Sequence, residues 1–234
     1  MQSNNKVKVL SVGGSIIAPE GVDTDFLTRF RRAISAYLEA DLQRKLIMVS
    51  GGGMPARVYQ KAYREIVADH SSDEQDWIGI AATRLNARLL KAVFSEQCDN
   101  EVVTDPTVVS DMRGQVLVAA GWKPGFSTDN DAVLLAEKFG ADTVINLSNI
   151  EKIYTADPKV DPDARPIDHI SWAEFREMVG DEWTPGKNLP FDPVAAKRGS
   201  EIGLRVVSAA GSDIDNIMNI LYNRDFVGSV IGPE

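Results

Sequence analysis

The sequence predicts an α/β fold in which a parallel or mostly parallel sheet carries helices on both faces. Strand-like runs rich in Val, Ile and Leu alternate with helical patterns along the chain, the order expected when each parallel crossover is made by a helix. Residues 46–49 are continuously apolar and residues 143–147 are rich in Val, Ile and Leu, as strands buried on both faces are. With 234 residues, 44% of them hydrophobic, the chain can bury a sizeable core in one large domain or two tightly joined lobes.

Taken in order, residues 7–11 are a strand, 23–39 a helix, Lys45–Ser50 a strand and 54–68 a helix. Ser72 with Gln75 has capping-box spacing and opens a helix running past Trp77 to Phe94. Strands are expected near 101–103 and at Val116–Ala119. Thr128, with Asp131 three positions later, is the expected N-cap of a helix whose apolar face is Ala132, Leu135, Ala136 and Phe139. Residues 143–147 form a buried strand, followed by a long loop containing Asp157-Pro158 and Asp161-Pro162, functional or mobile by its length. Ser171 and Glu174 cap a short helix. Asp192 followed by Pro193, an N-cap with Pro at the first helical position, opens a helix over 192–202. A strand at 205–208, a helix at 213–222 and a strand at Ser229–Ile231 finish the pattern. Any lobe boundary falls just before Thr143, dividing the chain into 1–142 and 143–234.

A formal charge of −9 and a pI near 4.8 disfavour a broad nucleic-acid or anionic-membrane surface, which depends on accumulated Lys and Arg. Cys98 is the sole cysteine, and His70 and His169 lack metal-ligand spacing, so no side-chain metal site is expected. No run approaches about 18 apolar residues and the N-terminal stretch has no cationic leader before an apolar one. The expectation is a cytoplasmic protein with small-molecule partners.

Two of the first strands end in glycine turns, Gly13-Gly14-Ser15 and Gly51-Gly52-Gly53. Glycine lets backbone approach a ligand and present N–H groups to an anion, and ligands of open α/β sheets gather at the carboxyl ends of strands. The stretch GWKPGFSTDNDAVLLAEKFGAD, residues 121–142, is a third such strand end. It leads through Ser127 and Thr128 into a helix whose first turn carries unpaired N–H groups. Together the three favour a phosphate-rich site over tight turning alone. Neither G-x-x-x-x-G-K-[ST] nor G-x-G-x-x-G occurs, so a phosphate enzyme here uses another scaffold.

The order of six segments, VGGSIIAPEGVDTDFL, VSGGGMPARVY, DWIGIAATRLNARLL, KPGFSTDNDAVLLAEKFGAD, INLSNIEKIYTADPKVDP and FDPVAAKRGSEIGLRVV, resembles the amino-acid-kinase superfamily, and within it the archaeal-type UMP kinases. The resemblance implies a three-layer αβα sandwich with a mainly parallel central sheet, the acceptor UMP in the N-terminal lobe and ATP, with Mg²⁺, in the C-terminal lobe. It implies that Gly13, Gly14 and Ser15 contact the transferring phosphates, that Gly52 lies on the UMP side and that Gly53 and Arg57 lie toward ATP. Asp76 is implied at the UMP ribose and Trp122, Lys123, Pro124, Gly125, Phe126, Ser127 and Thr128 around the UMP phosphate. Ser148, Asn149, Tyr154 and Asp157 are implied at the ATP site, and a homo-oligomer, typically a hexamer, is implied for the assembly. Asp129 is a catalytic candidate that could organise donors, or a carboxylate stabilising the helix start.

The match departs at three places. Ser11 stands where many superfamily members carry a Lys, as archaeal-type UMP kinases also lack it. Lys8 is on the opposite strand face and is no replacement. Lys123 is the first substitute cation and Arg57 the second; Lys197 faces either solvent or phosphate, and Arg84 has a structural role. Glu151-Lys152 replaces the usual Asp-Gly, and Trp122 replaces a smaller polar residue. These departures motivate the alternatives of another small phosphate or carboxylate acceptor, or of a non-catalytic nucleotide or oxyanion binder.

Overall fold

The computed structural model describes residues 6–158, 160–180 and 189–233; Lys159, within one resembling segment, lies outside them. The strands are β1 (Val7–Val12), β2 (Lys45–Ser50), β3 (Val116–Ala119), β4 (Thr143–Ser148), β5 (Ile153–Tyr154), β6 (Pro166–Ile167), β7 (His169–Ile170), β8 (Arg205–Ala210) and β9 (Ser229–Ile231). The helices are α1 (Gly14–Ile17), α2 (Thr24–Glu39), α3 (Gly53–Ile66), α4 (Ser72–Val93), α5 (Thr128–Phe139), α6 (Trp172–Val179), α7 (Pro193–Glu201) and α8 (Ile214–Leu221).

Seven strands form one sheet in the order β3-β2-β1-β4-β8-β9-β7. The first five are parallel to their neighbours, and β9 runs antiparallel to β8. In register, Val9 lies beside Ile47 and Val144, and Leu10 beside Met48 and Ile145. Side-chain alternation then separates two cores. Leu10, Leu46, Met48, Val118, Ile145 and Val207 pack on one face with α2, α4 and α8. Val9, Ile47, Leu117, Val144 and Val206 pack on the other with α5, α6 and α7. The result is the expected three-layer αβα sandwich, its parallel strands buried on both faces.

Most local expectations hold, and the differences have local causes. The α4 cap is Ser71, not Ser72: Ser71 is extended and its hydroxyl accepts the Glu74 N–H, the third residue inside the helix. The α5 cap is likewise Ser127, which is extended (φ −77°, ψ 160°) and accepts from Asn130. Thr128 is already helical. Residues 101–103 make a single bridge, Val103 to Ala119, rather than a strand. The long loop after β4 carries a two-stranded antiparallel pair, β5-β6. Asp192 does cap α7 with Pro193 at its first position, and Ser171 with Glu174 forms a complete capping box on α6.

Phe30 is fully buried, stacked on Phe26 with ring centroids 5.4 Å apart and edge-on to Phe94 at 6.0 Å. Phe30→Ala is expected to cost about 3–5 kcal/mol, read as a lowered midpoint in urea unfolding with little change in slope.

Candidate active site

Outward from β1 the chain builds β2 and β3 to one side and β4 and β8 to the other. The switch point therefore lies between β1 and β4, and in open α/β sheets the ligand crevice lies beyond the carboxyl ends of such strands. Gly13 follows β1 and donates its N–H to the Leu147 carbonyl of β4 at 2.8 Å. Gly14 then meets the second glycine turn backbone to backbone. A Cβ on Gly14 would lie 1.9 Å from the Gly53 nitrogen, and one on Gly51 would lie 2.4 Å from the Gly14 nitrogen. Gly53 has φ +67°, and a Cβ there would meet the Gly14 carbonyl oxygen at 2.3 Å. The Met54 N–H donates to the Ala18 carbonyl at 3.0 Å, and the Asn86 side chain of α4 donates to the carbonyls of Gly51 (2.9 Å) and Gly52 (3.2 Å). On the β4 side, the Ser148 carbonyl accepts the Gly211 N–H at 2.7 Å. Gly13, Gly14, Gly52, Gly53 and Ser148 are thus gathered at one place, with Ser15 half-exposed beside them and Asn149 exposed after Ser148.

The third wall is the loop after β3. Gly121 donates to the Thr83 hydroxyl at 2.9 Å, Arg84 donates to the Trp122 carbonyl at 3.0 Å, and the Gly125 N–H reaches the Asp76 carboxylate at 2.9 Å. All three partners belong to α4. The Trp122 N–H donates to Asp131 at 3.2 Å, the Trp122 and Phe126 rings meet edge-on at 5.0 Å, and the Lys123 ammonium sits 3.9 Å from the Trp122 ring centroid. Lys123 is exposed and seated on its own loop's rings rather than on a neighbouring carboxylate. Pro124 completes the turn, and Ser127 and Thr128 head α5 toward the crevice.

Beneath that helix start, Asp129 accepts the Ser11 hydroxyl at 3.0 Å and the backbone N–H of Asp192. Burial, with the Asp192 carboxylate nearby, pushes its carboxyl up to about 6. Asp131 is 1% exposed, and burial pushes it to about 7 against the pull of the Trp122 N–H.

Other positions named from sequence are placed as follows. Arg57 is exposed on α3, its guanidinium 3.5 Å from the Pro19 carbonyl. Tyr154 is half-buried on β5, opposite Pro166, and the Asp157 carbonyl accepts from Val160 and Asp161 in the turn that follows. Lys152 pairs with Asp168. Lys8, on the opposite strand face from Ser11, bonds Asn223, and Lys197 is exposed. Sequence reasoning missed Thr83, Asn86 and Asp131. A signal existed for the first two: with Ile80, Ala87 and Leu90 they occupy the buried stripe of α4, where polar residues need partners.

Residues 6–208 match the model of the Amino acid kinase family. The chain is 35% identical over 227 residues to the uridylate kinase of Methanocorpusculum labreanum, covering 96% of this chain and 94% of that one. It is 34% identical over 226 residues to the uridylate kinase of Methanospirillum hungatei, covering 95% and 93%. Among solved structures, the uridylate kinase from Archaeoglobus fulgidus superimposes with a TM-score of 0.81 at 34% identity, covering 97% of this chain and all of that chain. The UMP kinase from Bacillus anthracis has a TM-score of 0.75 at 16% identity and supports the fold.

Two outcomes follow from this geometry. Gly14→Ala drives a methyl group into backbone, so nucleotide binding and turnover should fall at least tenfold even where circular dichroism retains the fold. Asp131 holds its proton more tightly folded than unfolded, so between about pH 4 and 7 the native state binds more protons and stability declines as pH rises. Thermal melts from pH 5 to 8 should show a shallower decline in Asp131→Asn.

Proposed function

The chain belongs to the amino acid kinase family, and on that premise we propose that it transfers the γ-phosphoryl group of ATP to UMP, giving UDP and ADP. One observation supports this most directly: two interlocked glycine turns follow β1 and β2, and a serine-capped helix start is tied to the end of β1 through Asp129 and Ser11, in a chain 34–35% identical to uridylate kinases over nearly its whole length.

Phosphoryl transfer asks the protein mainly to align two anions and neutralise charge on the moving group. In the proposed arrangement residues 1–142 hold the acceptor and 143–234 hold ATP. Gly13, Gly14 and Ser15 receive the transferring phosphates, with Gly52 on the acceptor side and Gly53 and Arg57 on the donor side. Asp76 meets the ribose. Residues 122–128 wrap the acceptor phosphate, its charge favoured by the first turn of α5. Ser148, Asn149, Tyr154 and Asp157 line the ATP site. The acceptor oxygen is already ionised, so attack in line needs no general base and no covalent enzyme intermediate. Asp129 organises Ser11 and the head of α7 behind the glycine turn. Mg²⁺ would be carried in on the phosphate oxygens, as is usual for an ion that keeps several waters and takes few protein ligands.

The departures that suggested other activities have structural partners: Ser11 bonds Asp129 and Lys152 pairs with Asp168. No second function is retained. Self-association is part of the proposal, the resemblance suggesting a hexamer. It is supported by α3, none of whose residues is buried and which exposes Val58, Tyr59 and Ile66, and by α4, packed against it, which exposes Trp77 and Leu85.

A coupled assay of ADP production with Mg-ATP and a panel of monophosphates should show UMP as the preferred acceptor; no turnover on UMP rejects the proposal. Lys123→Ala should raise KM for UMP about tenfold or more, the scale of a lost charge-assisted hydrogen bond, and leave KM for ATP within about twofold. Equal effects on both would remove Lys123 from the acceptor clamp.

A further inference from the structure

Three carboxylates surround the base of the acceptor loop, and they are unequally compensated. Asp105 accepts the N–H and hydroxyl of Thr107 at 2.8 and 2.6 Å, and the Trp122 side chain as well. Asp129 accepts the Ser11 hydroxyl and the Asp192 N–H. Asp131, the most enclosed of the three, has the Trp122 N–H on one oxygen and no partner on the other. The charged groups acting on it are Asp129 on its own helix and Asp105 before β3, with Asp192 behind Asp129 at the head of α7; Arg84 of α4 and Lys123 flank Trp122, whose N–H it accepts. Lys123 rests over aromatic rings, and Arg84 donates through Nη2 to the Trp122 carbonyl while its Nε is buried without a partner.

We propose that Asp131 is a buried proton site beneath the acceptor loop: seating of the acceptor phosphate at Ser127 and Thr128 is coupled to proton uptake there, so acceptor affinity falls as this carboxyl loses its proton. The proposal rests on the acceptor site assigned above. The Asp131 N–H donates to the Ser127 carbonyl at 3.2 Å, which puts its backbone about one helical turn, roughly 6 Å of rise, from Ser127, and its carboxylate reaches back to the Trp122 N–H of the loop. A dianion arriving there favours the neutral acid, and the coupling is reciprocal. Protonation leaves the loop pinned, because one oxygen still accepts the Trp122 N–H while the proton occupies the oxygen that lacked a partner. Burial already holds this group near the working pH, so a modest perturbation changes its occupancy.

Asp131→Asn tests this, since its amide oxygen still accepts the Trp122 N–H but cannot titrate; Asp131→Ser is a second non-titrating variant should the first fold poorly. In the ligand-free wild type the Trp122 backbone amide resonance should titrate near neutrality, and in the variants it should not. Calorimetry at pH 7.5 in two buffers of different ionisation enthalpy, with UMP or inorganic phosphate and no ATP, should register proton uptake by wild type and markedly less by Asp131→Asn. Between pH 7 and 8.5, KM for UMP should rise in wild type relative to Asp131→Asn, by at most about tenfold per pH unit for a single proton, with KM for ATP unaffected. The acceptor's own phosphate ionisation is common to both proteins and cancels in the comparison. A pH-independent Trp122 amide, or equal proton uptake in wild type and variant, overturns the proposal. UMP turnover with a flat amide rejects the proton site alone. A titrating amide and phosphate-linked uptake without UMP turnover reject the acceptor assignment and keep the proton site.

Discussion

The backbone contact between Gly14 and Gly53 sets the geometry of everything around it. With no side chain on either residue, the turns after β1 and β2 approach until a Cβ on one would overlap the nitrogen of the other. That closeness brings two sets of backbone groups to the carboxyl ends of adjacent parallel strands. Any side chain in the contact would force the turns apart and with them α1 and the head of α3, so the site exists only because the sequence removes atoms there.

Helix α4 acts as the bracket across this arrangement. Along one helix, Asn86 holds the second glycine turn, Thr83 and Arg84 hold the start of the loop after β3, and Asp76 holds Gly125 within it. Thr83 and Asn86 are buried with apolar neighbours, and each is matched to loop backbone groups, Thr83 to the Gly121 N–H and Asn86 to the Gly51 and Gly52 carbonyls. The spacing between the second glycine turn and the loop after β3 is therefore fixed by a rigid element rather than by the loops themselves.

Helix α5 carries the opposing tendency. Its first turn presents N–H groups and partial positive charge toward the crevice, while Asp129 and Asp131 lie just behind with raised proton affinity. Acids in the first turn suit the helix dipole, but burial makes their ionisation costly. Asp129 is tied by Ser11 and by α7, so the residue that departs from the superfamily's lysine has become part of a hydrogen-bonded support.

Local pattern along the chain was enough to specify the α/β class, the strand ends that carry glycine and the caps to within one residue. Apolar periodicity, Gly at tight approaches and Asp-Pro at a helix start act through neighbouring residues and are legible in order. The caps shifted from Ser72 to Ser71 and from Thr128 to Ser127 because adjacent hydroxyls are equally competent and the backbone of the incoming loop chooses between them. Lys123 could be assigned to the loop, but its seat on Trp122 could not, since that depends on how the loop folds back. Asp131 counted only as a helix-start acid until burial and the Trp122 amide gave it a different role. Asn86 with Gly51, Asp76 with Gly125 and Ser11 with Asp129 join residues 35, 49 and 118 positions apart. Such pairings, and the dielectric around them, are set by how the layers pack, and no local pattern encodes them.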